Sequence, residues 1–377
     1  MRILLSISRH LIVTMIAFMV VGLFAIVTVN ISFLNPIAHT LEEFSMTDMY
    51  YQALQETASE DTSHVITIVD MTELYDRQSI AMTIEQIEAY RPKVLGIDVV
   101  FEGPKEEPQG DLMIESIASM YDNTVFSYRL LGYDGNQKQF TSEVHSFFTD
   151  NVDVKEGYTN LQRQLYSGIK RELSLSRKSC GEQKSSFVNI VAERYAGEQI
   201  VSSGQQDLQI NFSPTYFQCL KYDSIKMHPE LIRDRIVLFG AMGEETDMHY
   251  TPLGKMPGIK LLAYAISTLL NHKEVKRLPI ALVVIVSFFL VLLTQLLQDA
   301  YEKRVDRIKS PLFQSFLSSS VAVGVITFIW VVLLMWVAFL IFTMSGISLN
   351  LGWALSAIAF VDAARSFFDT CLKSLTK

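Results

Sequence analysis

From Pro311 to Val361 the chain runs for 51 residues without an Asp, Glu, Lys or Arg. As a single helix this run would measure roughly 75 Å, more than twice the roughly 30 Å hydrocarbon core of a bilayer. It therefore reads as two membrane helices, predicted over 316–343 and 347–366, with the turn among Ser345, Gly346, Ser348 and Asn350. Two further uncharged apolar stretches, 11–29 and 278–297, each have the roughly 20 residues that a crossing helix requires. The expectation is four transmembrane helices, arranged one plus three around a large solvated segment, 30–277.

Charge divides the chain in the same way. Residues 42–277 hold 23 Lys or Arg against 35 Asp or Glu, a local net charge of −12 within a total of −8. Such an acidic domain excludes nucleic acid as a partner, because phosphate binding needs clustered Lys and Arg. After Arg9 the next basic residue is Arg77, so the first span has a basic flank on one side only. The positive-inside rule then puts residues 1–10 in the cytoplasm and 30–277 outside. Four crossings return the 298–315 loop, with Lys303, Arg304, Arg307 and Lys309, and the 367–377 tail to the cytoplasm. Lys273, Lys276 and Arg277 oppose this orientation and are outvoted. The first span reads as a retained anchor, since its apolar part exceeds a signal core and no A-x-A-like site follows it. The bilayer of a cell's inner membrane is the expected surroundings.

The external segment is long enough for one domain with a proper core. A polar stalk is expected over 42–62. Strands are predicted at 65–70, 94–101, 124–128, 207–212 and 235–240, and helices from Thr83 to Arg91-Pro92, over 112–120 behind an Asp111 cap, at 186–196 and at 258–271. Apolar strands alternating with helices indicate an α/β domain, a mixed and mostly parallel sheet with flanking helices. Cys180 and Cys219 are the two external cysteines, and both a bridge between them and two free thiols remain open.

The ordered set IVDM (68–71), GIDVVF (96–101), Asp111, INF (210–212) and RIVLFGAMGEETDMHYTPLGKMPG (235–258) resembles the type-2 CHASE domain, an extracytoplasmic sensory module. The resemblance covers nearly the whole chain and implies the one-plus-three helix layout derived above. Its most specific part is the order strand, glycine loop, Asp247, Thr251-Pro252 and Pro257-Gly258. Where the family usually has a polar His and Asn in the next helix, this chain has Leu262 and Tyr264. In many members the last membrane helix leads into a cyclase, kinase or phosphatase domain, and the expectation here is that none follows.

Asp70 and Asp98 fall at or near the carboxyl ends of strands expected to be adjacent, where open α/β sheets bind ligands. They are the candidate ligand-binding residues, with Asp247. The loop after Gly240 is neither of the glycine-rich phosphate motifs, and Glu244, Glu245 and Asp247 would repel an anion. Asp247 with His249 lacks the three or four ligands of a metal site, so no metal and no cofactor is expected. The preferred reading of that loop is architectural. Gly240 and Gly243 let the backbone reverse, Asp247 bonds nearby amides, and Thr251, Pro252, Pro257 and Gly258 shape the return. No catalytic residue is recognised.

In the last span Ser348, Gly352, Ser356, Ala359 and Ala363 form a small-residue stripe suited to close helix packing, within the chain or against a partner. The spans are taken to bury no ionisable group, which argues against transport. The expected function is a sensory protein that detects an envelope signal or small ligand and relays it through its helices to a membrane partner or a second copy. A membrane-anchored enzyme with a carboxylate cleft and an envelope scaffold are the alternatives.

Overall fold

The computed structural model of the protein describes residues 2–30, 46–57, 61–161, 168–201 and 207–375. Much of the connecting segment, including 42–45 and 58–60 of the expected stalk, lies outside the described residues. The chain forms two units, Tyr51–Val275 and the pair Met1–Tyr50 with Lys276–Lys377.

Helix α1 (Arg2–Asn30) belongs to the second of these, and α2 (Met46–Thr57) carries the boundary. The α/β unit then begins with β1 (Asp61–Asp70), α3 (Arg77–Ala89), β2 (Val94–Ile97), α4 (Pro108–Met120) and β3 (Thr124–Asp134). A middle region follows with β4 (Gln139–Val144), β5 (Lys155–Tyr158), β6 (Glu172–Ser174), β7 (Ser176–Ser179), β8 (Glu182–Ser185) and α5 (Phe187–Ala196). It ends with β9 (Asp207–Gln209), β10 (Thr215–Lys221), β11 (Ile236–Gly240), the hairpin β12 (Met248–Thr251) and β13 (Gly254–Pro257), and α6 (Gly258–Leu270).

Nine strands make one sheet in the order β10-β1-β11-β2-β3-β4-β7-β8, with β5 also on β3. Strands β10, β1, β11, β2, β3 and β5 are mutually parallel, while β4 and β8 are antiparallel to their partners β3 and β7. The mixed, mostly parallel sheet expected from the sequence is therefore present. Its order differs in one consequential respect. Strand β11 lies between β1 and β2, so Asp70 and Asp98 are not on adjacent strands.

Strand alternation sends Leu95, Ile97, Val237 and Phe239 to one face, where Ile80, Ile84 and Ile87 of α3 and Ile114 and Ile117 of α4 complete a core. The other face takes α5 and α6. There Gly96 is required because a Cβ would lie 2.7 Å from the Phe187 ring.

Several boundaries move. Helix α3 starts at Arg77, capped by the Asp76 side chain accepting from Ser79 N at 2.8 Å, a full turn and a half before the expected Thr83. Thr83 is a helix-interior residue whose hydroxyl donates to Ser79 O at 2.8 Å. Asp111 is inside α4 rather than capping it, buried and paired with Arg77 across the two helices. Strand β2 stops at Ile97 and β9 at Gln209. Strand β10 was not expected because its alternating, half-exposed residues lie at a sheet edge, where parallel pairing with β1 supplies the order.

Cys180 and Cys219 are free thiols, which removes the bridge. Cys219 is on β10 at one edge and Cys180 follows β7 at the other. Six strand spacings of about 4.8 Å separate those strands by roughly 30 Å, against a Cα separation of about 7 Å at most for a disulfide.

In the helical unit, β14 (Lys276–Arg277) pairs with β15 (Ile347–Ser348), and the helices are α7 (Ile280–Val305), α8 (Pro311–Leu317), α9 (Ser320–Ser345) and α10 (Gly352–Leu375). Only α7 and α9 are long and apolar enough to cross a membrane among the described residues. Helix α1 contributes the shorter apolar run Ser8–Phe24, and α10 carries Asp362, Arg365, Asp369 and Lys373 from its eleventh residue onward. The expected turn is present, with Gly346 in the left-handed region at φ 66° closing α9. The expected span over 316–343 is broken at Ser318-Ser319, where the Ser319 hydroxyl accepts from Ala322 N to start α9. Asn350 Oδ1 accepts from Gly352 N at 2.9 Å, so α10 begins five residues later than expected.

Helices α1, α7 and α10 share a core of Val13, Ala17, Val291, Ala357, Val361 and Ala364. The stripe Gly352, Ser356, Ala359 and Ala363 is exposed instead, and Ser348 is in β15. The inward face of α10 is selected by Arg365, which reaches Asp299 and Glu302 of α7, and by Asp369, paired with Arg9 at 2.8 Å. One ionisable group is buried at the border of the spans, one residue before the expected 11–29. His10 is 2% exposed and contacts Gln295 at 3.4 Å and Asp299 at 2.8 Å, while Gln295 donates to Thr14 at 2.7 Å.

Candidate functional site at the carboxyl edge of the sheet

Strands β1, β11 and β2 end side by side, with Asp70 in register with Gly240 and the Asp98 amide donating to Phe239 O at 2.9 Å. Helices α3 and α4 pack on one face while α6, following β11, packs on the other, so the connections part at this edge, the position where open α/β sheets bind ligands. To this edge come Asp98 from the end of β2, and Asp247 and His249 from the segment leading through β12 to α6.

Gly240 separates the two strand-end aspartates. A Cβ there would lie 3.2 Å from Asp98 Cβ and 2.6 Å from Ile259 Cδ1. Its φ is not in the left-handed region, nor is that of Gly243 or Gly258. These glycines therefore serve close approach rather than the backbone reversal expected of Gly240 and Gly243. A Cβ on Gly243 would lie 2.9 Å from the Thr72 methyl, and one on Gly258 would meet the Asp247 carboxylate.

Asp70 has a structural role. Its Oδ1 accepts from Thr72 N at 2.9 Å, from the Thr72 hydroxyl at 2.5 Å and from Met242 N at 3.1 Å. The Thr72 hydroxyl oxygen in turn accepts from Met242 N at 3.0 Å and Gly243 N at 2.9 Å. This clamp holds the loop after β11, the task that the sequence assigned to Asp247. Thr72 carries no recognisable motif, and only the fold brings it to that loop.

Asp247 binds no backbone amide among the described contacts. Its Oδ1 lies 3.3 Å from His249 Nε2, and its carboxylate sits against Gly258, the first residue of α6. A helix start favours a negative charge there. Thr251 and Pro252 form the hairpin tip, where the Thr251 hydroxyl donates to Gly254 O at 2.8 Å. Pro257 precedes α6 in extended conformation. Leu262 and Tyr264 face the core, the Tyr264 hydroxyl donating to Thr215 O at 3.3 Å.

Asp98 differs from its neighbours because its carboxyl has no hydrogen-bond partner among the described residues. Desolvation, with repulsion from Asp247 added and His249 opposing, pushes it up to about 7. A carboxyl near neutrality can donate or accept a hydrogen bond and can exchange a proton at physiological pH. No set of three or more His, Cys, Asp or Glu side chains among the described residues has a metal-binding arrangement.

Neither a comparison with curated proteins nor one with solved structures gives a match. The family model for the CHASE2 domain matches residues 17–297, which contain the whole α/β unit. The chain belongs to the CHASE2 family of extracytoplasmic sensory domains.

Proposed function

We propose that the protein is a multi-pass membrane sensor whose α/β unit binds a small ligand at the sheet edge around Asp98. The observation that carries this reading is a hydrogen-bond-free carboxyl at the carboxyl edge of a parallel sheet, facing Asp247 and His249. Asp98 is partly exposed, so its carboxyl is free to bond a ligand that displaces water from it. Asp247 and His249 complete the polar lining, and Asp70 holds the loop after β11.

Helices α1, α7, α9 and α10 are the four crossings in this proposal, with both termini cytoplasmic. A ligand shifts the helices only if it binds one arrangement more tightly than another. The exposed stripe Gly352, Ser356, Ala359 and Ala363 then offers a surface to a membrane partner or second copy. A reporter active only in the cytoplasm should work after Lys377 and fail when inserted at Gly135. Activity at Gly135 would overturn the orientation.

The near-neutral Asp98 also favours a second reading, a membrane-anchored enzyme in which it acts as general base. A small-molecule thermal-shift screen of the full chain in detergent separates the two. A binding ligand at 100 times its Kd should stabilise by about 2.7 kcal/mol. Loss of that shift in Asp98→Asn supports the sensor site, and conversion of the ligand supports the enzyme. A shift untouched by Asp98→Asn removes Asp98 from the site.

A further inference from the structure

His145 follows β4 and stands between two carboxylates of different strands. Its Nε2 lies 2.9 Å from Glu143 Oε2, on β4, and its Nδ1 lies 2.7 Å from Glu156 Oε2, on β5. Strands β4 and β5 both pair with β3, and the imidazole stacks on Tyr128 of β3 with ring centroids 4.5 Å apart. Both carboxylates are largely buried, and the second oxygen of each, Glu143 Oε1 and Glu156 Oε1, has no hydrogen-bond partner. The imidazole is about a third exposed, which leaves its protons open to solvent.

The proton count follows from this geometry. A neutral imidazole has one N–H, so with both carboxylates ionised one ring nitrogen would turn a lone pair toward a carboxylate oxygen. Both contacts are hydrogen bonds only when the three groups share two protons. These are held either as imidazolium with two carboxylates or as neutral imidazole with one carboxylic acid, net charge −1 in each case. Loss of one proton to solvent base raises the charge to −2 and breaks one contact. The other facing groups are Lys184 of β8, 3.7 Å from Glu143 Oε2, the Ser179 hydroxyl of β7, which bonds Glu143, and the Tyr128 phenol. Lys184 is held nearer Glu182, at 2.9 Å, and does not reach Glu156, whose other bond is from the Ser146 amide, so no cation replaces the lost proton there. The carboxylates meet opposite ring nitrogens and do not converge on one point.

We propose that Glu143, His145 and Glu156 form a proton-operated latch tying β4 to β5, closed with two shared protons and released when one is lost. It makes the β4-β7-β8 extension of the sheet sensitive to external pH, independently of the ligand reading at Asp98.

Hydrogen–deuterium exchange on the full chain in detergent tests this. After correction for intrinsic rates, exchange over 139–144 and 155–158 relative to 236–240 should rise about tenfold or more from about pH 6 to about pH 9. Glu156→Gln supplies an amide that can donate to a bare ring nitrogen, so it should hold the latch with one proton fewer and flatten that rise. His145→Gln should give the released exchange pattern at every pH. A wild-type ratio that is constant across the range, or a Glu156→Gln chain with the wild-type response, overturns the latch. Should His145→Gln not fold, the other two chains decide.

Discussion

The Asp247 carboxylate stands where a side chain on Gly258 would begin. Its two oxygens lie 2.6 and 2.7 Å from the position of a Cβ on that residue. The glycine at the start of α6 is thus a consequence of the acid eleven positions earlier, and the hairpin between them returns the chain to make the contact. Gly258→Ala must displace Asp247 or the helix start, and we expect a loss of about 1–3 kcal/mol. Denaturant unfolding of the full chain measures it, and a neutral result would show that the carboxylate has room to move.

Asp98 sets a pH dependence. An unfolded Asp ionises near about 4, whereas Asp98 in the folded chain does so at about 7. Between these values the folded state holds more protons, so this group's contribution makes stability fall as pH rises and then level off above neutrality. Asp98→Asn should remove that fall and leave the chain more stable above neutrality by up to about 4 kcal/mol, the equivalent of about three pH units. Melting curves across this range test both parts, and an unchanged slope in the variant would assign the dependence elsewhere.

The clamp on the loop after β11 rests on Thr72 as much as on Asp70. Thr72→Val preserves shape but removes the acceptor used by Met242 N and Gly243 N. Met242 N keeps its bond to Asp70, so the expected cost is only about 1 kcal/mol. The diagnostic change is faster amide exchange confined to 242–243, and unchanged exchange there would mean that Asp70 alone holds the loop.

Two sets of small residues on α10 have opposite expected behaviour. Ala357 is in the core with α1 and α7, and Ala357→Leu should overpack it by about 1–3 kcal/mol. Ala359 is exposed, so Ala359→Leu or Ser356→Leu should leave the fold intact while disrupting association with a membrane partner. Crosslinking in native membranes reads the second effect. Persistence of the same crosslinks after both exposed substitutions would remove the stripe from the interface.

The sequence alone determined those features that depend on local composition and period. The uncharged run from Pro311 to Val361 had to break near Gly346, and it does. The apolar runs around Val69, Leu95 and Leu238 had to be buried strands, and their alternation with helices required a mostly parallel α/β sheet. The order of glycine loop, Asp247 and Pro257-Gly258 was sufficient to indicate the family. What tertiary structure decided is which segments meet. Strand β11 enters between β1 and β2 because pairing partners are chosen across the whole chain, and this brings the loop after Gly240 to the side chains of Asp70 and Thr72. Cys180 and Cys219 are kept apart by the same strand order. The rotation of α10 was likewise hidden. Small residues line more than one of its faces, and the ion pairs of Arg365 and Asp369 with residues distant in sequence determine which face turns inward. Local propensity specifies what a segment becomes, whereas long-range pairing, burial and charge specify where it goes, and at this site position decides role.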